Sequence, residues 1–211
     1  LAETGRGPDR GGGDGSMSTE LYLLSERLYL SPIRGHPEGR PAWDLVDTVT
    51  DELDALPDSA RRNGTGPNAA AINPPLYYAY AAVAWKLSPD RSILGRLMVT
   101  RLATVALMVL AVGLTWVLAG ELFSRPWQQA LATAVVALHP KLGHTAGQIN
   151  PDLMLVVMTT GVLAAAARIL LRGATPWRLA ALGAAAAGAV LTHPRGLFCL
   201  PAAALVLLLA A

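Results

Sequence analysis

Three acids, Asp90, Glu121 and Asp152, occur between residues 76 and 211, and Asp152 is the one from which chemistry is most readily read. It follows Asn150-Pro151 and opens an apolar run, so its carboxylate stands at the mouth of a membrane-type segment. An acid there is costly unless it faces a cavity or a protein partner. A helix N-terminus also favours a negative charge through the macrodipole, so a functional and a purely local role are both open. A carboxylate in such a place can take a proton from a hydroxyl. Arg101, Lys141 and Arg195 fall at other mouths of apolar runs. Cations there can stabilise negative charge developing on a phosphate, although long basic side chains also snorkel to an interface for solvation alone. His193 lies two residues before Arg195, His139 and His144 flank Lys141, and Asn150 is a polar residue shaping the same loop as Asp152. The residues name no cofactor. His139, His144 and Asp152 leave room for a divalent metal, but their spacing matches no zinc-ligand pattern.

These residues need elements to position them, and the apolar runs supply them. Residues 102–120 run without a charge, about the twenty residues needed to cross a hydrocarbon core, and Arg101 and Glu121 bracket them. Further spans are expected near 127–138, 153–171, 179–192 and 196–211, the last continuing past the end of the chain. The segment 127–138 is short, but a helix cannot turn back in lipid with its backbone unsatisfied. Five crossings put Arg125, Arg168, Arg172 and Arg178 on one side, and Arg101, Lys141 and Arg195 on the other. The cluster of Arg168, Arg172 and Arg178 marks its side as cytoplasmic. Residues 1–96, the loop 139–151 and the turn 193–196 then lie on the outer face. The reading is an all-α integral membrane protein: a transmembrane bundle over 97–211, preceded by an extracytoplasmic loop over 1–96 with short juxtamembrane helices.

In that loop, residues 5–18 are rich in Gly and Asp and read as irregular chain. Leu21, Leu24 and Leu28 share one face of a helix near 20–30, and Val46, Val49, Leu53 and Leu56 share one face over 42–56. The opposite face of the second helix carries Asp44, Asp47, Asp51, Glu52 and Asp54. Membrane-lying helices usually carry Lys and Arg there, so this one is expected to dock on protein. Asn63-Gly64-Thr65 fits a glycosylation acceptor, a pattern common by chance. Residues 75–87 form an apolar helix too short to cross, and Tyr77, Tyr78, Tyr80 and Trp85 are expected to anchor it at the interface.

Composition fits this division. The 211 residues are 53% hydrophobic and only 15% charged, against about a quarter charged in a soluble domain. Residues 1–75 hold seven Lys/Arg against twelve Asp/Glu, and residues 76–211 hold ten against three. The basic residues are dispersed among apolar runs, which argues against a nucleic-acid partner. Cys199, the lone cysteine, sits between Phe198 and Leu200 and reads as a small buried residue. The chain opens on Leu1 and stops inside an apolar run, so it is expected to be a piece of a longer protein.

Three stretches in this order resemble a family. They are Asn73-Pro74-Pro75-Leu76-Tyr77-Tyr78 followed by Arg101-Leu102; Gln148-Ile149-Asn150-Pro151-Asp152-Leu153; and Leu191-Thr192-His193-Pro194-Arg195-Gly196-Leu197 after Gly183. Together they are similar to the GT-C membrane glycosyltransferases, in particular the bacterial relatives of dolichyl-phosphate-mannose–protein mannosyltransferases. Leu1-Ala2-Glu3-Thr4-Gly5-Arg6-Gly7-Pro8 is similar to the stretch that follows their first membrane helix. The resemblance implies a multi-pass enzyme of the cell membrane. It would transfer a sugar from a polyprenyl-phosphate donor to a lipid, glycan or protein acceptor on the outer face. It implies Asp152 as the second acidic position, with the main catalytic acid in a motif before Leu1. Arg101, Lys141, Arg195 and His193 would bind the donor phosphate, His193 standing where the family often has Lys, and Asn150, Tyr77 and Tyr78 would line the substrate. Glu3, Asp9 and Asp14 are nearby acids outside any such motif, and the 211 residues alone are expected to be inactive. The competing class is a non-enzymatic polytopic protein, such as a transporter or assembly subunit. Transporters tend to keep charged or broken-helix sites at mid-membrane, whereas here the ionisable groups collect at the ends of the runs.

Overall fold

The structure, a computed structural model, describes residues 17–30, 39–66 and 72–210. The stretch Leu1–Pro8, the acids Glu3, Asp9 and Asp14, and most of the Gly/Asp-rich segment lie outside the described residues. The described chain is helical apart from one small antiparallel ladder, β1 (Met17–Ser18) with β2 (Gly64–Gly66). It divides into two units, Leu1–Ile72 with Ala82–Val99, and Asn73–Ala81 with Thr100–Ala211.

The first unit is built from amphipathic helices. Ser18 caps α1 (Thr19–Arg27), its hydroxyl accepting from the Leu21 N–H. A 3-10 turn (Trp43–Leu45) leads into α2 (Val46–Asp54), and Pro57 separates it from α3 (Asp58–Arg62). Leu24 of α1 and Leu28 at its C-cap pack on Val49 and Leu53 of α2, and Ile93 completes this core with Trp85, Leu94 and Leu97 around it. The five acids of the α2 region are all exposed. The acidic helix therefore docks its apolar stripe on protein, as its charges imply. Asn63 is exposed, and its Oδ1 accepts from the Thr19 hydroxyl at 2.9 Å.

The second unit contains the long apolar helices. Two described helices are long and apolar enough to cross a membrane, α5 (Ile93–Leu122) and α8 (Asp152–Arg172). The others are α4 (Leu76–Leu87), α6 (Pro126–Ala137), α7 (Pro140–Ala146), α9 (Pro176–Thr192) and α10 (Cys199–Leu209), with a 3-10 turn over Pro194–Phe198. Residues of α4 and α5 belong to both units.

Two expectations change here. First, α5 begins at Ile93, so its 30 residues place Arg101 inside a continuous helix and not at its mouth. Arg101 is exposed on α5, and a guanidinium that reaches solvent is no barrier to helix continuation. Second, the span expected at 127–138 is a 12-residue helix, roughly 18 Å long, which does not cover a hydrocarbon core near 30 Å. The pair His139-Pro140 ends it, because Pro140 starts a new helix at its first position. The 17 residues of α9 and the 16 of Pro194–Leu209 also fall short of the two long helices.

The packing of α5 on α8 sets the layout. At one end, Leu107 and Ala111 of α5 share a core with Leu153, Met154 and Val157 of α8. At the other, Glu121 of α5 binds Arg168 and Arg172 of α8. The two helices are therefore parallel, and the chain from Phe123 to Pro151 must return from one end to the other. Helix α6 makes that return, while Ala146 of α7 is already in the core at the Asp152 end. Gly173, at φ 82°, ends α8 in a conformation that glycine adopts at no steric cost. The chain then reverses into α9, which packs Leu182, Ala186 and Ala189 on Val162, Ala165 and Ile169. Cys199 is buried in the same core, as its neighbours imply.

Candidate functional site

The candidate site is the Asp152 end of the second unit, and its geometry begins with the turn before α8. Asn150 Oδ1 accepts the Asp152 N–H at 2.8 Å, a side chain bonding backbone two residues on. This bond uses an N–H left free at the helix start and locks Asn-Pro-Asp into one shape. The Asp152 side chain stays 45% exposed, with Oδ1 3.8 Å from Nε2 of His193. His193 caps the 3-10 turn that follows α9, its Nδ1 accepting the Arg195 N–H at 3.1 Å. That bond assigns the proton of the neutral ring to Nε2, the nitrogen facing Asp152. The imidazole is thus held by a backbone N–H of its own turn, while on the other side Asn150 fixes the Asp152 backbone from which the carboxylate extends. Arg195 is exposed beside them.

Beneath this pair lies a buried polar contact. Tyr77 is fully buried, and its hydroxyl is 3.0 Å from the Thr104 hydroxyl, which in turn donates to the Thr100 carbonyl at 3.2 Å. Burial pushes the Tyr77 phenol above its ordinary range, opposed by hydrogen bonds with Thr104 and the Asn150 backbone. Tyr77 therefore stays protonated near neutral pH and packs beneath the start of α8, in one core with Leu153 and Met154. Its burial takes it out of direct reach of a substrate, contrary to the substrate-lining role expected of it. Tyr78 is half-buried, meets the Tyr77 ring edge-on at 5.6 Å, and accepts a hydrogen bond from Asn73 Nδ2 at 3.3 Å. Tyr80 donates to the Ala103 carbonyl at 2.6 Å. In the first unit, Trp85 packs in the core with Arg96 over its ring. The aromatic residues expected as interface anchors thus have protein partners.

The structure brings Asp152, His193, Arg195, Asn150, Tyr77 and Tyr78 to one end of this unit. Lys141 on α7 and Arg101 on α5 are exposed, and neither forms an ion pair with Asp152. Among the described residues, no three His, Cys, Asp or Glu side chains are grouped to hold a metal ion. His139 and His144 are both exposed, and His144 Nε2 lies 2.9 Å from the Gln148 amide.

No protein-family model, curated protein or solved structure matches this chain.

The chemical reading therefore rests on the residues themselves. Thr104 was not foreseen as part of the site. Its signal is a second threonine, Thr100, one helical turn earlier on an otherwise apolar helix, a spacing that places both hydroxyls on one face. The ion cluster at the far end, where one carboxylate meets two arginines, was also not foreseen. Its signal is Arg168 and Arg172 four residues apart at the end of one apolar run, with Glu121 ending another.

Proposed function

We propose that the chain is part of a multi-pass cell-membrane glycosyltransferase of the GT-C type. In this reading residues 1–96 lie on the outer face, and a sugar passes from a polyprenyl-phosphate donor to a lipid, glycan or protein acceptor. The observation that carries the proposal is the meeting of Asp152 with His193 at 3.8 Å, which joins two of the three stretches that resemble the family. The third stretch, at Tyr77, lies at the same end through the core that Tyr77 shares with Leu153 and Met154.

The chemistry follows from the groups present. The bond between the anomeric carbon and the phosphate oxygen breaks, and the acceptor oxygen bonds to that carbon. Its proton goes to a carboxylate, a role open to the half-exposed Asp152. Arg195, with its free guanidinium, and the Nε2–H of His193 offset the charge left on the departing lipid phosphate. Asn150 holds the Asp152 backbone in place and so sets where the carboxylate starts.

The test is Asp152→Asn in the full-length protein, assayed for transfer from a polyprenyl-phosphate sugar in membranes. Loss of turnover by about two orders of magnitude, with normal membrane insertion, is expected for removal of a proton acceptor. Unchanged turnover would remove Asp152 from the mechanism. A cysteine placed at Asn73 and one at Asn150 should react from the same side of sealed vesicles.

A further inference from the structure

The other end of the second unit carries an ion cluster that the proposed transfer does not use. Glu121 is almost entirely buried, with its side chain 4% exposed. Its two oxygens are divided between two arginines, Oε1 to Arg168 Nε at 2.9 Å and Oε2 to Arg172 Nε at 2.7 Å. The arginine side chains themselves are about half exposed, at 46% and 58%. Each guanidinium thus spends its Nε–H on the carboxylate and keeps its Nη donors without a partner among the described residues. Arg178 adds a third fixed guanidinium, its Nη1 donating to the Arg172 and Gly173 carbonyls at 2.8 and 2.7 Å. Arg125, in the turn after α5, is exposed as well. Four arginines therefore stand at this end against one glutamate.

Two exposed tryptophans flank the cluster at helix starts, Trp127 on α6 at 59% and Trp177 on α9 at 85%. An indole so placed suits the headgroup layer, where its ring is apolar and its N–H is wet. A guanidinium with both Nη groups open matches the geometry of a phosphate. The buried carboxylate holds two such forks side by side and cancels the repulsion between them.

We infer that this end of the unit is a binding site for the phosphate headgroup of an anionic phospholipid, received by Arg168 and Arg172 and steadied by Glu121. The inference rests on the membrane reading alone and is independent of sugar transfer, since lipid retention is measured without a donor sugar.

The experiment reconstitutes the full chain in mixed phosphatidylcholine–phosphatidylglycerol bilayers and quantifies co-purifying lipid by native mass spectrometry. Phosphatidylglycerol is expected to be retained in preference to phosphatidylcholine. Arg168→Gln/Arg172→Gln should lose that preference, at roughly fivefold for each arginine removed. Because this variant leaves Glu121 buried and unpaired, Glu121→Gln/Arg168→Gln/Arg172→Gln is measured beside it and should show the same loss. Arg91→Gln, which removes an exposed charge from the first unit, should retain the lipid. Equal retention by the wild type and both cluster variants overturns the proposal, as does an equal loss in Arg91→Gln. Displacement of the lipid by excess inorganic phosphate would show that the ligand is a free anion and would overturn it too.

Discussion

Asp152 and His193, 41 positions apart, face each other at 3.8 Å, the Asp152 backbone fixed by the Asn150 side chain and the His193 ring by the Arg195 N–H. The arrangement separates stability from chemistry. Asp152 is half exposed, so Asp152→Asn should change stability by no more than about 0.5 kcal/mol while removing the proton acceptor of the proposed transfer. His193→Ala should behave differently. It deletes the cap of the 3-10 turn and should cost about 1 kcal/mol of stability. Thermal unfolding of both variants in detergent, followed by circular dichroism, reads the difference directly.

Tyr77 and Thr104 predict a second asymmetry. Tyr77→Phe keeps the ring in its fully buried place but removes the hydroxyl that meets Thr104 and the Asn150 backbone. The Thr104 hydroxyl retains the Thr100 carbonyl as an acceptor, so the loss falls mainly on the Asn150 turn. A cost of about 1–2 kcal/mol is expected for the uncompensated buried group. Thr104→Ser preserves the hydroxyl and should cost less. Amide exchange at Asn150 and Asp152 should quicken in Tyr77→Phe and stay near wild type in Thr104→Ser.

How much of this was legible in the chain differs from segment to segment. The apolar faces Leu24–Leu28 and Val49–Leu53 were readable because helical periodicity is a local property, and both faces are buried together. That Asp152 and His193 stand at the ends of apolar runs is readable in the sequence, but their meeting is not. It depends on α9 folding back on α8, which no local pattern encodes. The start of α5 lies before the expected span because Arg101 looks like a boundary, and Arg96 is a second charge on the same helix. A helix carries such charges readily when one lies over Trp85 and the other reaches solvent. The segment 127–138 returns the chain between the two ends as expected of it, but as a helix of only 12 residues. Apolar content sets where a segment is at home, while Pro140 sets how long its helix can be.

At the start of α5, Asp90 and Ser92 predict a pH dependence. Asp90 accepts the Ser92 N–H and hydroxyl, both at 2.8 Å, while the Ser92 hydroxyl accepts the Gly95 N–H at 3.1 Å. The bonds from Ser92 hold the Asp90 carboxyl below its ordinary range. The folded pKa is thus lower than the unfolded one. The resulting stabilisation is fully present above the ordinary aspartate value near 3.9 and is lost as pH falls through the depressed folded value. Exchange of the Gly95–Leu97 amides should quicken on acidification in the wild type. In Asp90→Asn that dependence should flatten; an unchanged profile would assign it to another carboxyl.

Gly196 and Gly183 are both glycines of the α9 region, and they should respond to alanine in opposite directions. Gly196 is buried against the last turn of α9, where an added Cβ would overlap the Ala189 carbonyl. The colliding atoms are backbone, so relief requires the 3-10 turn to move off α9, carrying His193 away from Asp152. Gly196→Ala is therefore expected to destabilise the second unit by about 1–3 kcal/mol, the usual cost of overpacking a filled interior. Gly183, in the middle of α9, has open space where its Cβ would stand. There the substitution only removes backbone freedom from the unfolded chain, and Gly183→Ala should stabilise by roughly 0.5–1 kcal/mol. Urea unfolding in mild detergent measures both. A neutral Gly196→Ala would mean that the turn holding His193 packs less closely on α9 than the backbone contact requires, and the Asp152–His193 geometry would lose its support.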